Sequence, residues 1–218
     1  LIPENAPSGF SAVKLNPGVT ARTGAINSNG QMVARDDYIS NAGEQLLLRG
    51  VTQLSSPAMG YSADVYACLA NDAASLYTVY QGTARRVWQS TALTAPSFDA
   101  YGWVWAADGE GVVRAFKPDS EDANERERGV DIGLSWQRNL SFTSVNVSHD
   151  GARMAIVAST EGASAVIISG IVRDDAGKPL RLTEMVRLSS SVTPRNARWA
   201  GDQRVVVVNV KNGASEVI

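Results

Sequence analysis

The chain of 218 residues has 20 basic and 22 acidic side chains and a formal net charge of −2 at pH 7. This balance provides neither the basic surface that nucleic-acid binding requires nor a polybasic segment for an anionic membrane surface. The sequence has no run of about 18 apolar residues, so it predicts no membrane-spanning helix. Its single cysteine, Cys68, excludes an intrachain disulfide and a cysteine-rich zinc site, and the apolar residues around it indicate a small buried side chain.

The first 50 residues give weaker signals than the rest of the chain. The pair Asn29-Gly30, between two short extended runs, predicts a β-hairpin, and EQLLLRG (44–50) predicts an outer strand. We interpret residues 1–50 as a degenerate N-terminal blade or a linker to a preceding domain. Because the chain begins at Leu1 without a leader-like segment and ends at Ile218 within a predicted strand, we expect it to be part of a longer protein.

Beyond residue 50, short runs of β-branched and aromatic residues alternate with Gly, Asp, Asn, Ser and Pro, a pattern typical of strands joined by turns. No window of helical length keeps an apolar stripe at i, i+3 and i+4. The charged segment 121–129 lacks an apolar face, so we expect a loop there. The sequence therefore predicts an all-β domain. Its predicted strands are 65–69, 75–79, 85–88, 103–106, 112–116, 143–147, 154–158, 164–169, 195–199 and 204–210.

One pattern recurs four times in this region: a short strand opened by Pro or Thr, a polar turn, and a second, strongly apolar strand. The opening residues are Pro57, Pro96, Thr143 and Pro194, which are separated by 39, 47 and 51 residues. These intervals match the roughly 40–50-residue period of β-propeller blades, and each leaves room for two further strands. We therefore predict a propeller of four-stranded blades, with about five blades or an incomplete ring. The predicted blades within 51–218 are 51–93, 94–141, 142–190 and the incomplete 191–218.

Aspartate and glycine recur in the turns between the first two strands of the units. An Asp side chain accepts backbone N–H groups in such turns, and Gly permits a positive φ. We therefore predict a structural role for eight turn residues: Asp64, Asp99, Gly102, Ser148, Asp150, Gly151, Gly201 and Asp202. The single histidine, His149, stands in one of these turns. Since the sister turns have no histidine, we predict that His149 is an ordinary turn residue and not a catalytic base.

The sequence contains neither a Gly-x-Ser-x-Gly elbow nor a His-Glu-x-x-His helix. A glycosidase needs only two acids, and the candidates near strand ends are Asp64, Asp99, Asp108, Glu110, Asp150 and Asp202. Four of them occupy repeat turns, where backbone geometry explains an aspartate. The acidic segments 36–37, 119–122 and 174–175 lack the ligand spacing of an EF-hand loop. We therefore predict no catalytic residue, no metal site and no cofactor.

Two groups of tryptophans have distinct predicted roles. Trp103 and Trp105 are two positions apart and share one face of a strand, so we expect them to pack between adjacent blades. Trp136 lies in LSWQRN, a segment that either packs within the fold or forms a loop at the rim of the propeller. Because Trp and Arg concentrate at protein-binding hot spots, Trp136 and Arg138 are our candidates for binding a protein partner.

The segment SHDGARMAIV (148–157) resembles the Ser-Pro-Asp-Gly blade repeat of TolB-like and WD40-like propellers, with His149 in place of the proline. A longer arrangement is more specific. LTAPSFDAYGWVWAAD, FTSVNVSHDGARMAIVAS, AVIISGIVRDDAGKPLRL and VTPRNARWAGDQRVVVVNV follow in order. Together they resemble the C-terminal propeller domain of the LpqB family of actinobacterial lipoproteins. The resemblance extends over about 50–218 of this sequence.

This resemblance implies a non-enzymatic domain of the cell envelope, held at the outer face of the cytoplasmic membrane by a lipid anchor outside this chain. The family is associated with the two-component pair MtrA and MtrB, so the implied partner is the extracellular domain of a sensor histidine kinase. The family supplies no catalytic residues. The residues alone leave an alternative, a propeller that cleaves or binds polysaccharide in its central funnel. A pair of facing carboxylates or exposed aromatic side chains in the funnel would favour that alternative.

Overall fold

The computed structural model describes residues 23–27, 30–34, 38–41, 44–47, 51, 54–60, 64–134, 140–160, 163–188, 193–201, 203–211 and 214–217. Within these residues the chain forms five antiparallel sheets, each built from strands that are consecutive in sequence. The innermost strands of successive sheets contact one another. The predicted fold class, an all-β propeller with about five blades, is confirmed.

We number the sheets as blades 1 to 5. Blade 1 contains β1 (Thr23–Asn27), β2 (Gly30–Ala34), β3 (Tyr38–Asn41) and β4 (Glu44–Leu47). Blade 2 contains β5 (Ser55–Met59), β6 (Val65–Ala70), β7 (Ser75–Tyr80) and β8 (Thr83–Gln89). Blade 3 contains β9 (Ser97–Phe98), β10 (Val104–Ala107), β11 (Val113–Phe116) and β12 (Val130–Asp131).

Blade 4 contains β13 (Ser141–Val147), β14 (Arg153–Thr160), β15 (Ala163–Arg173), β16 (Pro179–Leu182) and β17 (Val186–Leu188). Both β16 and β17 pair with the long strand β15. Blade 5 contains β18 (Thr193–Trp199), β19 (Val205–Lys211) and β20 (Ala214–Val217). A single π-helical turn, Asn124–Arg128, precedes β12. No helix in the described part of the chain has the length and apolar character needed to cross a membrane.

The first strand of each blade lies innermost, since β1, β5, β9, β13 and β18 contact one another in that order. The pairing of β5, β13 and β18 with their neighbours shifts register at a β-bulge, which includes Pro57, Thr143 and Arg195, respectively. A bulge increases local strand twist and tolerates a residue that cannot donate to the ladder, such as proline. Three of the four residues that open the sequence repeat, Pro57, Thr143 and Pro194, therefore lie at or next to these inner-strand bulges.

The N-terminal sheet is a simple meander. Its strands pair in the order β1, β2, β3, β4, so the described N-terminal strands pair with one another and not with blade 5. Asn27 pairs with Gly30, and Asn29 of the predicted Asn29-Gly30 turn lies outside the described residues.

The second strands of the central blades, β10 in blade 3 and β14 in blade 4, are buried on both faces. Around β10, Trp103 and Trp105 pack in a core shared with blade 4, whereas Val104 and Ala106 pack in a core shared with blade 2. One face of β14 likewise packs in a core shared with blade 3, and its other face packs in a core shared with blade 5. Two buried faces require apolar residues at successive positions, which explains the uninterrupted apolar runs of the repeat. The predicted packing of Trp103 and Trp105 between blades is confirmed.

Candidate functional site

Three turns share one geometry, in which an aspartate Oδ1 accepts the N–H groups of the residues two and four positions later. The acceptors are Asp99, Asp108 and Asp174, and all six hydrogen bonds measure 2.8–3.0 Å. The residue three positions after each aspartate is a glycine with positive φ: Gly102 at 81°, Gly111 at 82° and Gly177 at 81°. The sequence signal is Asp-x-x-Gly, and the carboxylates stabilise backbone turns.

The turn 148–151 has the same glycine but begins with serine. The Gly151 N–H donates to the Ser148 carbonyl at 2.9 Å, and Gly151 has a φ of 70°. The Ser148 hydroxyl donates to Asp150 Oδ1 at 2.5 Å, and the Ala152 N–H donates to the same oxygen at 3.0 Å. The Ser148 hydrogen bond, followed by the Ala152 N–H, lowers the pKa of Asp150 from its ordinary value. Asp150 is therefore a turn-stabilising carboxylate.

Asp99 is a buried carboxylate that joins blades 3 and 4. Its Oδ2 accepts hydrogen bonds from Trp105 Nε1 at 2.7 Å and from Arg173 Nη2 at 2.5 Å. The side chain of Asp99 is fully buried, and that of Arg173, at the end of β15, is 10% exposed. Together with the turn bonds to its Oδ1, the carboxylate receives four donors. A buried charge of this kind is tolerated because it is both paired and hydrogen-bonded.

Arg173 also connects two further turns of blade 4. Its Nη2 donates to the Gly151 carbonyl at 3.0 Å, and its Nη1 donates to the Gly177 carbonyl at 2.8 Å. The Tyr101 ring lies over the guanidinium, with 4.4 Å between the ring centroid and Cζ. We call this group the Arg173 clamp: Asp99, Tyr101, Trp105, Gly151, Arg173 and Gly177. The clamp fixes the position of blade 4 against blade 3.

A second, more exposed ion pair joins the same two blades. Lys178 Nζ lies 3.0 Å from Glu125 Oε1, which belongs to the π-helical turn before β12. The hydrogen bond that Lys178 donates to the Glu125 carboxylate raises the pKa of Lys178. Because the Lys178 side chain is 35% exposed, solvent screens this pair and its contribution to stability is small beside that of the clamp.

Asn146 ties the inner strands of three blades together. Its Nδ2 donates to Ser97 Oγ in blade 3 at 3.0 Å, and its Oδ1 accepts the backbone N–H of Trp199 in blade 5 at 2.7 Å. Two cavities of about 280 Å³ and 420 Å³ open beside it and share Ser97, Phe98 and Asn146 in their linings. Of the described residues that line these cavities, none is acidic.

Exposed apolar side chains gather on the outer edge of blade 4. Met185, Val186 and Leu188 are 44%, 61% and 39% exposed, and Leu180 on β16 is 46% exposed. Strand β17 pairs with β15 on one side, and no described strand pairs with its other side. We call Leu180, Met185, Val186 and Leu188 the blade 4 edge. An apolar surface beside an open strand edge is typical of a site that contacts another protein.

Cys68 lies in β6 and is completely buried. Burial raises the pKa of its thiol to about 12, so the thiol stays protonated at neutral pH and is a poor nucleophile. Among the residues that the structure describes, no three His, Cys, Asp or Glu side chains are grouped so that they could hold a metal ion. The buried cysteine is therefore a packing residue of blade 2.

The family model of the lipoprotein LpqB β-propeller domain matches residues 30–217. This chain belongs to that family. The recognition made from the order of the blade motifs is thereby confirmed. Lipoprotein LpqB of Streptomyces coelicolor (strain ATCC BAA-471 / A3(2) / M145) is 31% identical to this LpqB-type chain over 135 residues, which cover 60% of the chain and 21% of the relative. The match therefore spans about a fifth of that relative's length.

Solved propellers share the fold of the LpqB-type domain at low sequence identity. The C-terminal WD40 domain of Sif2 matches with a TM-score of 0.57 and 12% identity, covering 88% of this chain and 55% of that one. Hsv2 of Kluyveromyces lactis matches with a TM-score of 0.54 and 13% identity, and the match covers 94% of this chain and 74% of Hsv2. Regucalcin of Agrobacterium tumefaciens matches with a TM-score of 0.52 and 14% identity, and the match covers 85% of this chain and 66% of regucalcin. At these identities the likeness concerns the fold alone.

Other predicted residues of the LpqB-type domain lie apart from the clamp. Asp64 directly precedes β6, and its carbonyl accepts the Gln81 N–H at 3.2 Å. Gly201 has a φ of 72° in the turn after β18. His149 is exposed at the rim of the larger inner cavity, so it is not enclosed between a carboxylate and a hydroxyl. Asp202, Trp136 and Arg138 lie outside the described residues, and their predicted roles stay predictions.

The sequence reasoning did not identify Arg173 as a structural centre. From the sequence, segment 174–175 is considered only as a rejected calcium site and Asp108 only as a candidate acid, although Asp108 and Asp174 both begin Asp-x-x-Gly turns. The Asp-x-x-Gly spacing was available in the sequence and would have found these turns. No local signal pairs Arg173 with Asp99, because the two residues are 74 positions apart.

Proposed function

We propose that this LpqB-type domain is a non-enzymatic protein-interaction module, which modulates a sensor histidine kinase by binding the extracellular domain of that kinase. Membership of the LpqB family and the name of the Streptomyces relative support a place in the cell envelope. In this proposal a lipid anchor outside the chain holds the domain at the outer face of the cytoplasmic membrane. The propeller then presents a fixed surface to its membrane-bound partner.

The blade 4 edge is the observation that carries this proposal. Its four apolar side chains are between 39% and 61% exposed on one blade, whereas large apolar side chains elsewhere in the described fold are mostly buried. The neighbouring Arg173 clamp holds blade 4 against blade 3. A pre-organised apolar surface loses little conformational entropy on binding, which favours recognition of a protein. The edge strand β17 also offers backbone groups for strand pairing with a partner.

The described acids support a non-enzymatic role. The carboxylates of Asp99, Asp108 and Asp150 accept backbone N–H groups in turns, so turn geometry explains the presence of these acids. Glycoside hydrolysis requires two acids that face each other across the substrate. The described lining of the two inner cavities supplies no such pair.

Binding to the extracellular domain of the sensor kinase, measured by biolayer interferometry with the 218-residue chain, tests this proposal. We expect saturable binding, and we expect Val186→Lys to weaken it by at least about tenfold because a charge then lies within the apolar contact. The matched control is Thr83→Lys, since Thr83 is also β-branched and exposed but lies on the outer strand of blade 2. Thr83→Lys should bind like the unmodified chain.

Two results would contradict the proposal. Absence of binding by a chain whose circular dichroism spectrum shows a folded β protein would remove the interaction itself. If Val186→Lys and Thr83→Lys weaken binding equally, the blade 4 edge is not the contact surface. The loss of affinity would then come from the added charge alone.

A further inference from the structure

The smaller inner cavity, of about 280 Å³, lies between the inner strands of blades 2, 3, 4 and 5. Its described lining is Ser56, Pro57, Ala58, Ala95, Pro96, Ser97, Phe98, Asn146 and Arg198. It shares three of these residues with the second cavity of about 420 Å³. The two volumes together are within the range of cavities that hold small molecules. This region lies at the inner strands and is separate from the blade 4 edge.

Arg198 on β18 is the single charged side chain in the described lining of the smaller cavity. It is half-buried, and burial lowers the pKa of its guanidinium. Arg173 and Arg126, which are also half-buried, each donate to an acceptor in the protein. Within the described residues Arg198 has neither a hydrogen-bond acceptor nor an ion-pair partner.

An unpaired cation inside a cavity has a physical consequence. Removing part of its hydration costs free energy unless an anion or several acceptors replace the lost water. The guanidinium has five N–H donors in a planar fork, which matches the two oxygens of a carboxylate or phosphate. The cavity thus contains a donor group whose complement is absent from its described walls.

Two serine hydroxyls line the same cavity as Arg198. Ser97 Oγ accepts Asn146 Nδ2 at 3.0 Å and the Val147 N–H at 3.1 Å. With its lone pairs occupied, the Ser97 hydroxyl has its hydrogen left to donate, and no described residue accepts it. Ser56 adds a second hydroxyl to the same lining, at a bulge where its φ is 48°. The polar lining is therefore rich in donors.

We propose that the cavity between the inner strands binds the oxyanion group of a small ligand, a carboxylate or a phosphate, through the Arg198 guanidinium and the Ser97 and Ser56 hydroxyls. Among the described residues of the lining, no acidic side chain competes for Arg198. The remaining volume, lined by Phe98 and Pro96 among others, accommodates the uncharged part of the ligand. This site stands independently of the kinase interaction proposed above.

Isothermal titration calorimetry of the 218-residue chain with three anionic probes tests the site. The probes are inorganic phosphate, glycerol 3-phosphate and glucuronate, and glucose is the uncharged control. We expect saturable binding of at least one anion and none of glucose. Preference for the first two probes identifies a phosphate ligand, whereas preference for glucuronate identifies a carboxylate. The Arg198→Gln variant should bind at least about tenfold more weakly, because a hydrogen-bonded charge is lost.

Arg195→Gln is the matched control, since Arg195 lies on the same strand but is exposed. It should leave the affinity unchanged. Because Arg198 has no described partner, Arg198→Gln and Arg198→Met should both fold with an unchanged or raised melting temperature. The proposal is overturned if no probe binds, if Arg198→Gln binds as well as the unmodified chain, or if Arg195→Gln weakens binding equally. Loss of the fold in both Arg198 variants would also overturn it, by showing a structural role.

Discussion

Arg173 Nη2 and Asp99 Oδ2 lie 2.5 Å apart although the two residues are separated by 74 positions in the chain. The contact joins the first turn of blade 3 to the end of β15 in blade 4. It is nearly closed to solvent, with side-chain exposures of 10% for Arg173 and 0% for Asp99. A long-range buried pair of this kind helps to specify which blades are neighbours and at what angle they meet.

Replacing Arg173 by Met should therefore destabilise the fold. The substitution leaves the Asp99 carboxylate buried without its cation, and breaking such a pair from one side costs about 3–5 kcal/mol. The free energy of unfolding in urea measures the loss. Arg181→Met is the control, because Arg181 is exposed on the adjacent strand β16 and its replacement should change stability by less than about 0.5 kcal/mol. A similar small change in both variants would show that the clamp contributes nothing.

The blade repeat could be predicted from the sequence because its physical cause is local. A strand such as β14, which is shared between two cores, must be apolar at successive positions. A turn such as 148–151 requires glycine where φ is 70°. These two demands produce a visible alternation of apolar runs and Asp/Gly turns. The fold class therefore follows from the spacing of short segments.

The candidate sites could not be predicted in the same way, because they depend on contacts between blades. Asp99 lies in a turn whose Asp-x-x-Gly spacing is visible in the sequence, yet its partner Arg173 is remote in sequence. Arg198 and Arg195 are both arginines of one strand, and a bulge at Arg195 alters the alternation of β18. Strand periodicity alone does not tell which of them faces the cavity. The tertiary arrangement decides both roles.

Gly129→Ala should be much more harmful than Gly82→Ala, although both glycines have a φ of 71°. A Cβ at Gly129 would lie 2.7 Å from the Phe116 ring and 2.8 Å from the Ala115 carbonyl, whereas a Cβ at Gly82 meets nothing within 4 Å. Gly82→Ala should cost about 1 kcal/mol from backbone strain alone. Gly129→Ala should cost about 1–3 kcal/mol more from overpacking, and its ψ of −177° adds backbone strain because essentially only glycine adopts that region. Urea unfolding of both variants measures the difference. Equal losses would contradict the predicted clash.

Asp150 should make stability depend on pH in the acid range. Its folded pKa is lowered, mainly by the Ser148 hydroxyl and then by the Ala152 N–H. A lowered folded pKa means that the stabilisation is complete above the unfolded pKa of about 3.9 and is lost as pH falls through the folded value. The difference in unfolding free energy between the unmodified chain and Asp150→Asn should therefore shrink between about pH 6 and about pH 2. A difference that stays constant or grows on acidification would contradict this assignment.

Cys68 should be unreactive in the folded protein. Its side chain is fully buried in β6, and burial raises the pKa of the thiol to about 12. At pH 8 the attacking thiolate is then scarce and the reagent has no access, so Ellman's reagent should release no colour until the chain unfolds. The same titration in a denaturing concentration of urea should count one thiol per chain, since the sequence has one cysteine. If colour develops in buffer as fast as in urea, β6 opens readily in the folded protein. That result would contradict the assignment of β6 to the core of blade 2.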